Sequence, residues 1–464
     1  MALIKSISGI RGTIGGKTGD NLTPLDIVKF SAAFGTWLKK NRTGAVKVVI
    51  GRDARISGEM VNALVCSTLQ GLGIDVIDLG LSTTPTVEIA VPREKAAGGI
   101  ILTASHNPAQ WNALKLLNEK GEFISGKDGE EVLRLAEAEE FDFASVEKLG
   151  RYTTNATYIK KHIGLVLKHK LVDVKAIKNA KFKIAVDAVN STGGIVVPQL
   201  LKALGVKKVV ELYCEPNGKF PHNPEPLPEH VKAISKVVKK EKCHLGIVVD
   251  PDVDRLALIQ EDGKPFGEEY TLVAVADYIL SRKKGNTVSN LSSTRALRDV
   301  TEKAKGNYTA AAVGEVNVVN AMKATNAVIG GEGNGGIIVP DLHYGRDALI
   351  GIALFLTHLA KKKLKASELR KSYPAYFISK NKIELTPQIN VDKVLDQVKA
   401  KYQHEKINTI DGVKIDFEKE REWVHLRKSN TEPIIRIYAE SQNERKADEL
   451  AQRIMKDIRE ISRV

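Results

Sequence analysis

HLGIVVDPDVDR, residues 244–255, is an almost unbroken apolar run that stops on three carboxylates at alternate positions. A short run apolar on both faces is the pattern of an internal strand in a sheet covered by helices. The same unit, a strand and then a polar loop, recurs along the chain. It appears in ILTASHNPAQWNALKLL (101–117), KFKIAVDAVNSTGG (181–194), NTVSNLSST (286–294) and NAVIGGEGNGGIIVP (326–340). Helical patterns lie between these units. Thr23-Pro24 offers a capping hydroxyl and then a proline suited to the first helical position, with Asp26 in the first turn. Apolar residues then recur at Ile27, Val28, Phe30, Phe34 and Leu38. A strand at 46–50 ends in GRDARISG, a helix is expected around 62–72, and further strands near 76–79 and 99–102. Alternating strand and helix predicts parallel or mixed sheets with helices on their faces. In such sheets ligands sit at the carboxyl ends of strands, where the polar loops named above fall.

The 464 residues exceed what one hydrophobic core supports, so about three or four domains are expected. The pattern divides the chain into α/β segments at 1–150, 151–258 and 259–372. A differently built segment follows at 373–464, where short strands with alternating charge and a closing helix at 443–461 read as α+β. Hydrophobic residues make up 43% and charged residues 27%, the balance of an ordinary globular protein. The N-terminus lacks the apolar core of a signal peptide, and no run reaches the ~18 apolar residues of a membrane span. The three cysteines, Cys66, Cys214 and Cys243, are scattered and odd in number, which argues for a reducing compartment and against a disulfide framework. A cytoplasmic protein with no membrane partner is the expectation. The net charge of +14 admits a nucleic-acid-binding face or a basic cleft for a small anion. The lysines are dispersed and aromatic residues are only 5%, so stacking platforms for bases are not evident and a small anionic substrate is favoured over nucleic acid.

In an extended segment alternate residues point the same way, so Asp250, Asp252 and Asp254 can converge on one hard cation. Oxygen ligands alone favour Mg²⁺ or Ca²⁺, and Arg255 instead of glycine at the sixth position excludes an EF-hand loop. The competing reading is an acidic turn capped by arginine. Arg255 beside a metal suits a phosphate oxygen. GEGNGG, 331–336, lets a backbone approach a ligand closely, with Glu332 and Asn334 as acceptor and donor for sugar hydroxyls. RKSNTEPIIRIY, 427–438, gathers Arg427, Lys428, Ser429, Asn430, Thr431 and Arg436 around a turn, a cradle for phosphate. Taken alone, the glycine-rich turn and the basic loop each have a surface-loop alternative. A metal, a phosphate cradle, a sugar loop and arginines together imply phosphoryl chemistry, with Ser105 as nucleophile or phosphate carrier. A serine hydrolase is disfavoured, because no GxSxG elbow is present and His106 is adjacent in sequence to Ser105.

Four stretches, TASHNP, DPDVDR, GEGNGG and RKSNTEP, taken together resemble the α-D-phosphohexomutase family. They look like its phosphoserine, magnesium (usually DGDGDR), sugar and phosphate (usually RPSGTEP) loops, in the family's order over nearly the whole chain. The resemblance implies three related α/β domains with mixed sheets plus a smaller α+β C-terminal domain, heart-shaped around a central cleft. It implies phosphorylation of Ser105, Mg²⁺ held by Asp250, Asp252 and Asp254 with the phosphoserine as a further ligand, and Arg255 orienting the site. Lys115 matches the family's acid/base lysine and Arg11 its arginine near the phosphoserine. Glu332 matches the acid of the sugar loop that grips sugar hydroxyls, and Asn334 stands where that loop usually has serine. Arg427, Ser429, Asn430, Thr431 and Arg436 match the distal phosphate site. The implied reaction passes phosphate through Ser105 and a hexose 1,6-bisphosphate, which also serves as activator, in a monomer or homodimer. The sugar loop departs from the family: Gly336 stands where GEMSGH and GEQSGH end in histidine. His343, seven residues on, is either its substitute or a surface histidine. GEGNGG, the RDAL that follows and TEPIIRIY look closest to an archaeal-type phosphoglucosamine mutase group. That points to glucosamine 6-phosphate and glucosamine 1-phosphate; phosphomannomutase/phosphoglucomutase activity, or a metal-dependent sugar phosphatase, is the alternative.

Overall fold

A computed structural model describes residues 3–6, 9–384, 390–428 and 434–462. The chain forms two compact units, one of residues up to 278 together with 334–368, the other of 279–333 together with 369 onward. No helix among the described residues is long and apolar enough to cross a membrane.

The first unit holds two mixed sheets. Seven strands, β1 (Leu3–Ser6), β2 (Gly9–Thr13), β3 (Lys47–Arg52), β4 (Asp75–Leu81), β5 (Gly98–Leu102), β6 (Trp111–Leu117) and β7 (Tyr152–Thr154), lie in the order β1-β2-β6-β5-β3-β4-β7. β5, β3, β4 and β7 run parallel, whereas β6 is antiparallel to both β5 and β2. β5 is buried along its whole length, as its sequence GGIIL requires of an internal strand. The helix Pro24–Lys40 starts on Thr23, whose hydroxyl accepts from the Asp26 N–H while Asp26 bonds back to the Thr23 N–H, a complete capping box. Its apolar residues Ile27, Phe30, Phe34 and Leu38 pack with Val48, Ile50, Ile100 and Leu102 of the sheet. The second sheet comprises β8 (Lys183–Asp187), β9 (Lys208–Leu212), β10 (Leu245–Val249) and β11 (Leu256–Gln260) in the order β11-β10-β8-β9. β10 is parallel to β8 and antiparallel to β11.

In the second unit β12 (Asn286–Asn290) pairs in parallel with β13 (Tyr308–Ala311) and β14 (Ala327–Glu332). An all-antiparallel sheet is built from Phe377–Glu384, Ile434–Ser441, Glu422–Lys428, Val413–Phe417 and Lys406–Asn408. The helix Glu444–Ser462 packs Leu450, Ile454 and Ile458 against it. Three α/β layers and a smaller antiparallel α+β layer thus make up the chain. Compactness divides the chain inside the expected 259–372 segment, for a packing reason. The helix Ala348–Lys362 is buried from Ala348 to Leu359, too apolar to stand against one neighbour. It joins the first unit through edge-to-face stacking of Phe355 on Phe266 and a hydrogen bond from the Asp173 N–H to Thr357 Oγ1.

Candidate active site

β5 and β10 end in the two loops that carry the chemistry. The chain leaves β5 at Leu102. Thr103 Oγ1 then donates to Asp53 Oδ2 at 2.6 Å and accepts the Ser105 N–H at 2.9 Å. The Asn107 N–H returns to the Ala104 carbonyl and the Trp111 N–H to that of Pro108, so two consecutive turns close the loop before β6 begins. β10 is followed by Asp250, whose Oδ1 accepts the N–H groups of Asp254 and Arg255 and folds the acidic loop back on itself. Val253 sits in that loop at φ 63°, a left-handed conformation rare for a β-branched residue, where the family's usual pattern has glycine.

Ser105 and Asp250, 145 residues apart, meet: Ser105 Oγ donates to Asp250 Oδ2 at 2.8 Å. The His106 Nδ1 lies at 3.4 Å from the same hydroxyl, so the carboxylate is the closer partner. Lys115, on β6, donates to Asp252 Oδ2 at 2.8 Å and lies 3.6 Å from Asp254 Oδ2. Arg11, on β2, pairs with Ala113 across the strands and so projects from the same sheet face as Lys115. Its Nε is buried without a hydrogen-bond partner among the described residues. Arg255 Nη1 pairs with Glu225 Oε1 at 3.3 Å, and its Nε likewise has no hydrogen-bond partner among the described residues. Asn334 Oδ1 accepts the Gly336 N–H, while Arg255 and Gly336 form an isolated bridge.

All three aspartates are fully buried. Burial, then the charges of Asp254 and Asp252, push the Asp250 carboxyl well above its ordinary value. Burial acts the same way on Asp252, but the Lys115 ammonium outweighs it and holds that carboxyl below the usual range. The reciprocal effect keeps Lys115 charged: burial opposes the ammonium, and Asp252 and Asp254 overcome it. His106 is pushed down to about 3 by burial and then by Arg255, so it is neutral at pH 7.

One oxygen from each aspartate lies within 4.8 Å of the other two. Asp252 Oδ1 and Asp254 Oδ1 are buried with no hydrogen-bond donor among the described residues. Orphaned buried carboxylate oxygens are costly unless something charged binds them, and an all-oxygen set suits Mg²⁺. These residues fit that ion.

The second unit places the remaining candidates. Glu332 is buried at the end of β14, its Oε1 accepting from Asn290 Nδ2 at 2.9 Å and from the Gly314 N–H at 3.2 Å. Arg427 and Arg436 face each other across neighbouring antiparallel strands, and Arg427 Nε lies 2.9 Å from Asp411 Oδ2. Ser429, Asn430 and Thr431 lie outside the described residues. His343 is not a surface histidine. It is largely buried, with Nε2 3.2 Å from Asp347 Oδ2 and Nδ1 3.4 Å from Glu88 Oε2.

Three residues about the acidic loop escape a reading of the sequence. Thr84 Oγ1 donates to Asp252 Oδ2 at 2.5 Å, Arg346 Nη2 donates to Asp254 Oδ2 at 2.7 Å, and Glu225 holds Arg255. Each is a common residue type in an unremarkable context. The one available cue was the arginine of RDAL.

Profiles described as phosphoglucomutase/phosphomannomutase match the chain in four pieces. Alpha/beta/alpha domains I, II and III match residues 3–143, 157–263 and 267–376, and the C-terminal domain matches 382–457. A Thermococcus kodakarensis protein named phosphoglucomutase/phosphomannomutase is 36% identical over 94% of this chain and 96% of its own. A Methanopyrus kandleri protein named probable phosphoglucosamine mutase is 30% identical over 96% of this chain and 95% of its own. A crystal structure of a phosphoglucomutase/phosphomannomutase family protein from Burkholderia thailandensis superposes with a TM-score of 0.83 at 25% identity, over 99% of this chain and 96% of that one.

Proposed function

The chain belongs to the phosphoglucomutase/phosphomannomutase (α-D-phosphohexomutase) family, and from that membership we propose that it interconverts glucosamine 6-phosphate and glucosamine 1-phosphate by way of phospho-Ser105. The protein is a phosphohexomutase, an isomerase that relocates phosphate on a hexose. The hydrogen bond from Ser105 Oγ to Asp250, beside the Lys115 ammonium and two carboxylate oxygens with no partner among the described residues, supports the route through phospho-Ser105, and the named sugar rests on a relative named probable phosphoglucosamine mutase.

Mg²⁺ held by Asp250, Asp252 and Asp254 would withdraw charge from phosphate oxygens as a Lewis acid. The protein's own groups do the rest. The phosphoserine P–O bond breaks as a bond forms from phosphorus to the free sugar oxygen, whose proton ends on the released serine oxygen, giving the hexose 1,6-bisphosphate and the Ser105 hydroxyl. After the bisphosphate turns, the second phosphate returns to Ser105. The hydroxyl drawn toward Asp250 is aimed for that return, and its proton leaves along this hydrogen bond. The sugar oxygen that departs needs a proton, which the Lys115 ammonium supplies. Arg11 and Arg255 offer their unused Nε–H groups to phosphate oxygens as charge spreads over them. Glu332 grips sugar hydroxyls. Arg427, Ser429, Asn430, Thr431 and Arg436 hold the phosphate that is not reacting.

Two measurements test this reading. Intact mass before and after phosphatase treatment is expected to differ by one phosphate, with none on Ser105→Ala. Coupled assays with glucosamine, glucose, mannose and N-acetylglucosamine phosphates, each with its bisphosphate activator, are expected to favour glucosamine. Preference for mannose or glucose would leave the mutase and overturn the named sugar. Stoichiometric release of inorganic phosphate would overturn the phosphate-shuttling mechanism.

A further inference from the structure

The loop bearing Ser105 begins in an uncommon conformation. Ser105 has φ 47°, in the left-handed region that residues with a Cβ enter only when their surroundings over-determine it. Thr103 holds the Ser105 N–H, but the carbonyl side of the loop has a different anchor. Arg55 is 1% exposed and lies 50 residues upstream of Ser105. Its Nη2 donates to the carbonyls of Ser105 at 2.6 Å and Asn107 at 2.7 Å. Its Nη1 donates to those of Pro108 at 2.7 Å and Trp111 at 2.9 Å. The remaining donor, Nε–H, bonds to Asp53 Oδ2 at 3.0 Å. All five N–H groups of a guanidinium are thereby used. The Phe220 ring lies 5.2 Å from its centre.

We propose that Arg55 is the positioning residue of the phosphate-carrying serine: one buried guanidinium gathers four main-chain carbonyls from both limbs of the 105–111 loop and so holds Ser105 Oγ on the acidic triplet. This rests on the reading of Ser105 as that carrier. The circuit closes through Asp53. Its Oδ1 accepts the Arg55 N–H and its Oδ2 accepts from Thr103, whose oxygen in turn accepts from the Ser105 N–H. Arg55 thus fixes the carbonyl of Ser105 while the Asp53–Thr103 pair fixes its N–H. Lysine cannot replace it, since an ammonium has three donors and no planar fork to span four carbonyls.

The test compares wild type, Arg55→Lys, Arg55→Ala and Asp53→Asn with Mg²⁺ present. It reads kcat, KM, melting temperature and, by intact mass, single-turnover phosphate uptake from glucose 1,6-bisphosphate. A displaced nucleophile loses rate and not affinity. Turnover and phosphate uptake are therefore expected to fall about 100-fold in both Arg55 variants, with KM changed less than about threefold. Asp53→Asn is expected to lose less. Guanidinium ion below denaturing concentration restores uptake to Arg55→Ala but not to Arg55→Lys, whose side chain occupies the space. If Arg55→Ala fails to fold, Arg55→Lys and Asp53→Asn carry the test. Wild-type phosphate uptake in those two variants would overturn the proposal, as would a loss matched by the fraction unfolded. A wild-type enzyme that takes up no phosphate at Ser105 would instead overturn the reading beneath it.

Discussion

Asp252 is where the charges of the acidic loop are settled. One oxygen accepts from Lys115 and Thr84, and the other has no donor among the described residues. Asp252→Asn keeps the shape but turns one of these oxygens into an NH₂ group. That group would face either the Lys115 ammonium or the place a cation would take. Turnover is expected to fall at least about 100-fold and Mg²⁺ affinity about 10- to 100-fold, with the melting temperature within a few degrees of the parent. Titration calorimetry with Mg²⁺ and steady-state kinetics check both, and unchanged affinity would remove Asp252 from the ligand set. Legibility at this scale follows chain distance. Asp250, Asp252 and Asp254 were readable because the alternation that makes them converge is local, and Ser105 because its loop interrupts an apolar run. Thr84, Glu225 and Arg346 touch groups 168, 30 and 92 residues away, and nothing near them in sequence marks the contact.

Strands β2 and β6 show why whole elements can hide. GIRGT and WNALKLL carry Arg11 and Lys115, yet glycines and an internal lysine suppress the usual strand signals. Gly9 is needed: it has φ 130°, and a Cβ there would come within 2.2 Å of the Leu114 carbonyl oxygen. The helix at Thr23-Pro24 was legible because capping chemistry is local, and the strands of the C-terminal sheet because their charges alternate. That sheet contains a buried acid no pattern reveals. Glu440, on the strand Ile434–Ser441, accepts at Oε1 from Trp423 Nε1 at 2.7 Å and from the Arg295 N–H at 2.8 Å. Burial pushes its carboxyl up to about 7, although Thr294, Arg295, Lys414 and Trp423 all favour the charged form. The folded protein therefore keeps this proton to about pH 7, whereas the unfolded chain releases it near pH 4.5. The resulting stability is fully present below about pH 4.5 and is lost as pH rises through about 7, on the order of 3 kcal/mol. In urea unfolding at pH 5 and pH 8, Glu440→Gln is expected to flatten this slope and to exceed the parent in stability at pH 8. An identical slope in both proteins would rule Glu440 out as its source.

Across the whole molecule, Ser105, Lys115, Arg255 and the acidic triplet belong to the unit of residues up to 278 with 334–368, whereas Glu332, Arg427 and Arg436 belong to the other. The sequence pattern marked the layers but not this division, because it depends on how the apolar helix Ala348–Lys362 packs and not on its own composition. The division gives ion binding a distinct signature. Any ligand that binds only the folded state stabilises it by mass action, by about 2.7 kcal/mol at a concentration 100 times its dissociation constant. Three buried carboxylates face two cations, Lys115 and Arg346, so that when all three are ionised a negative charge remains for a divalent ion to offset, and every one of these groups is in the first unit. Adding millimolar Mg²⁺ to chelator-treated protein is expected to raise the melting temperature by several degrees. Hydrogen exchange should slow in β5, β10 and the loops that follow them, and remain unchanged in the antiparallel C-terminal sheet. Asp254→Asn should lose most of both responses, and Ca²⁺ should reproduce part of them, since its ligands are also oxygens. Protection appearing equally in both units, or surviving in Asp254→Asn, would place the ion elsewhere and separate the acidic loop from metal binding.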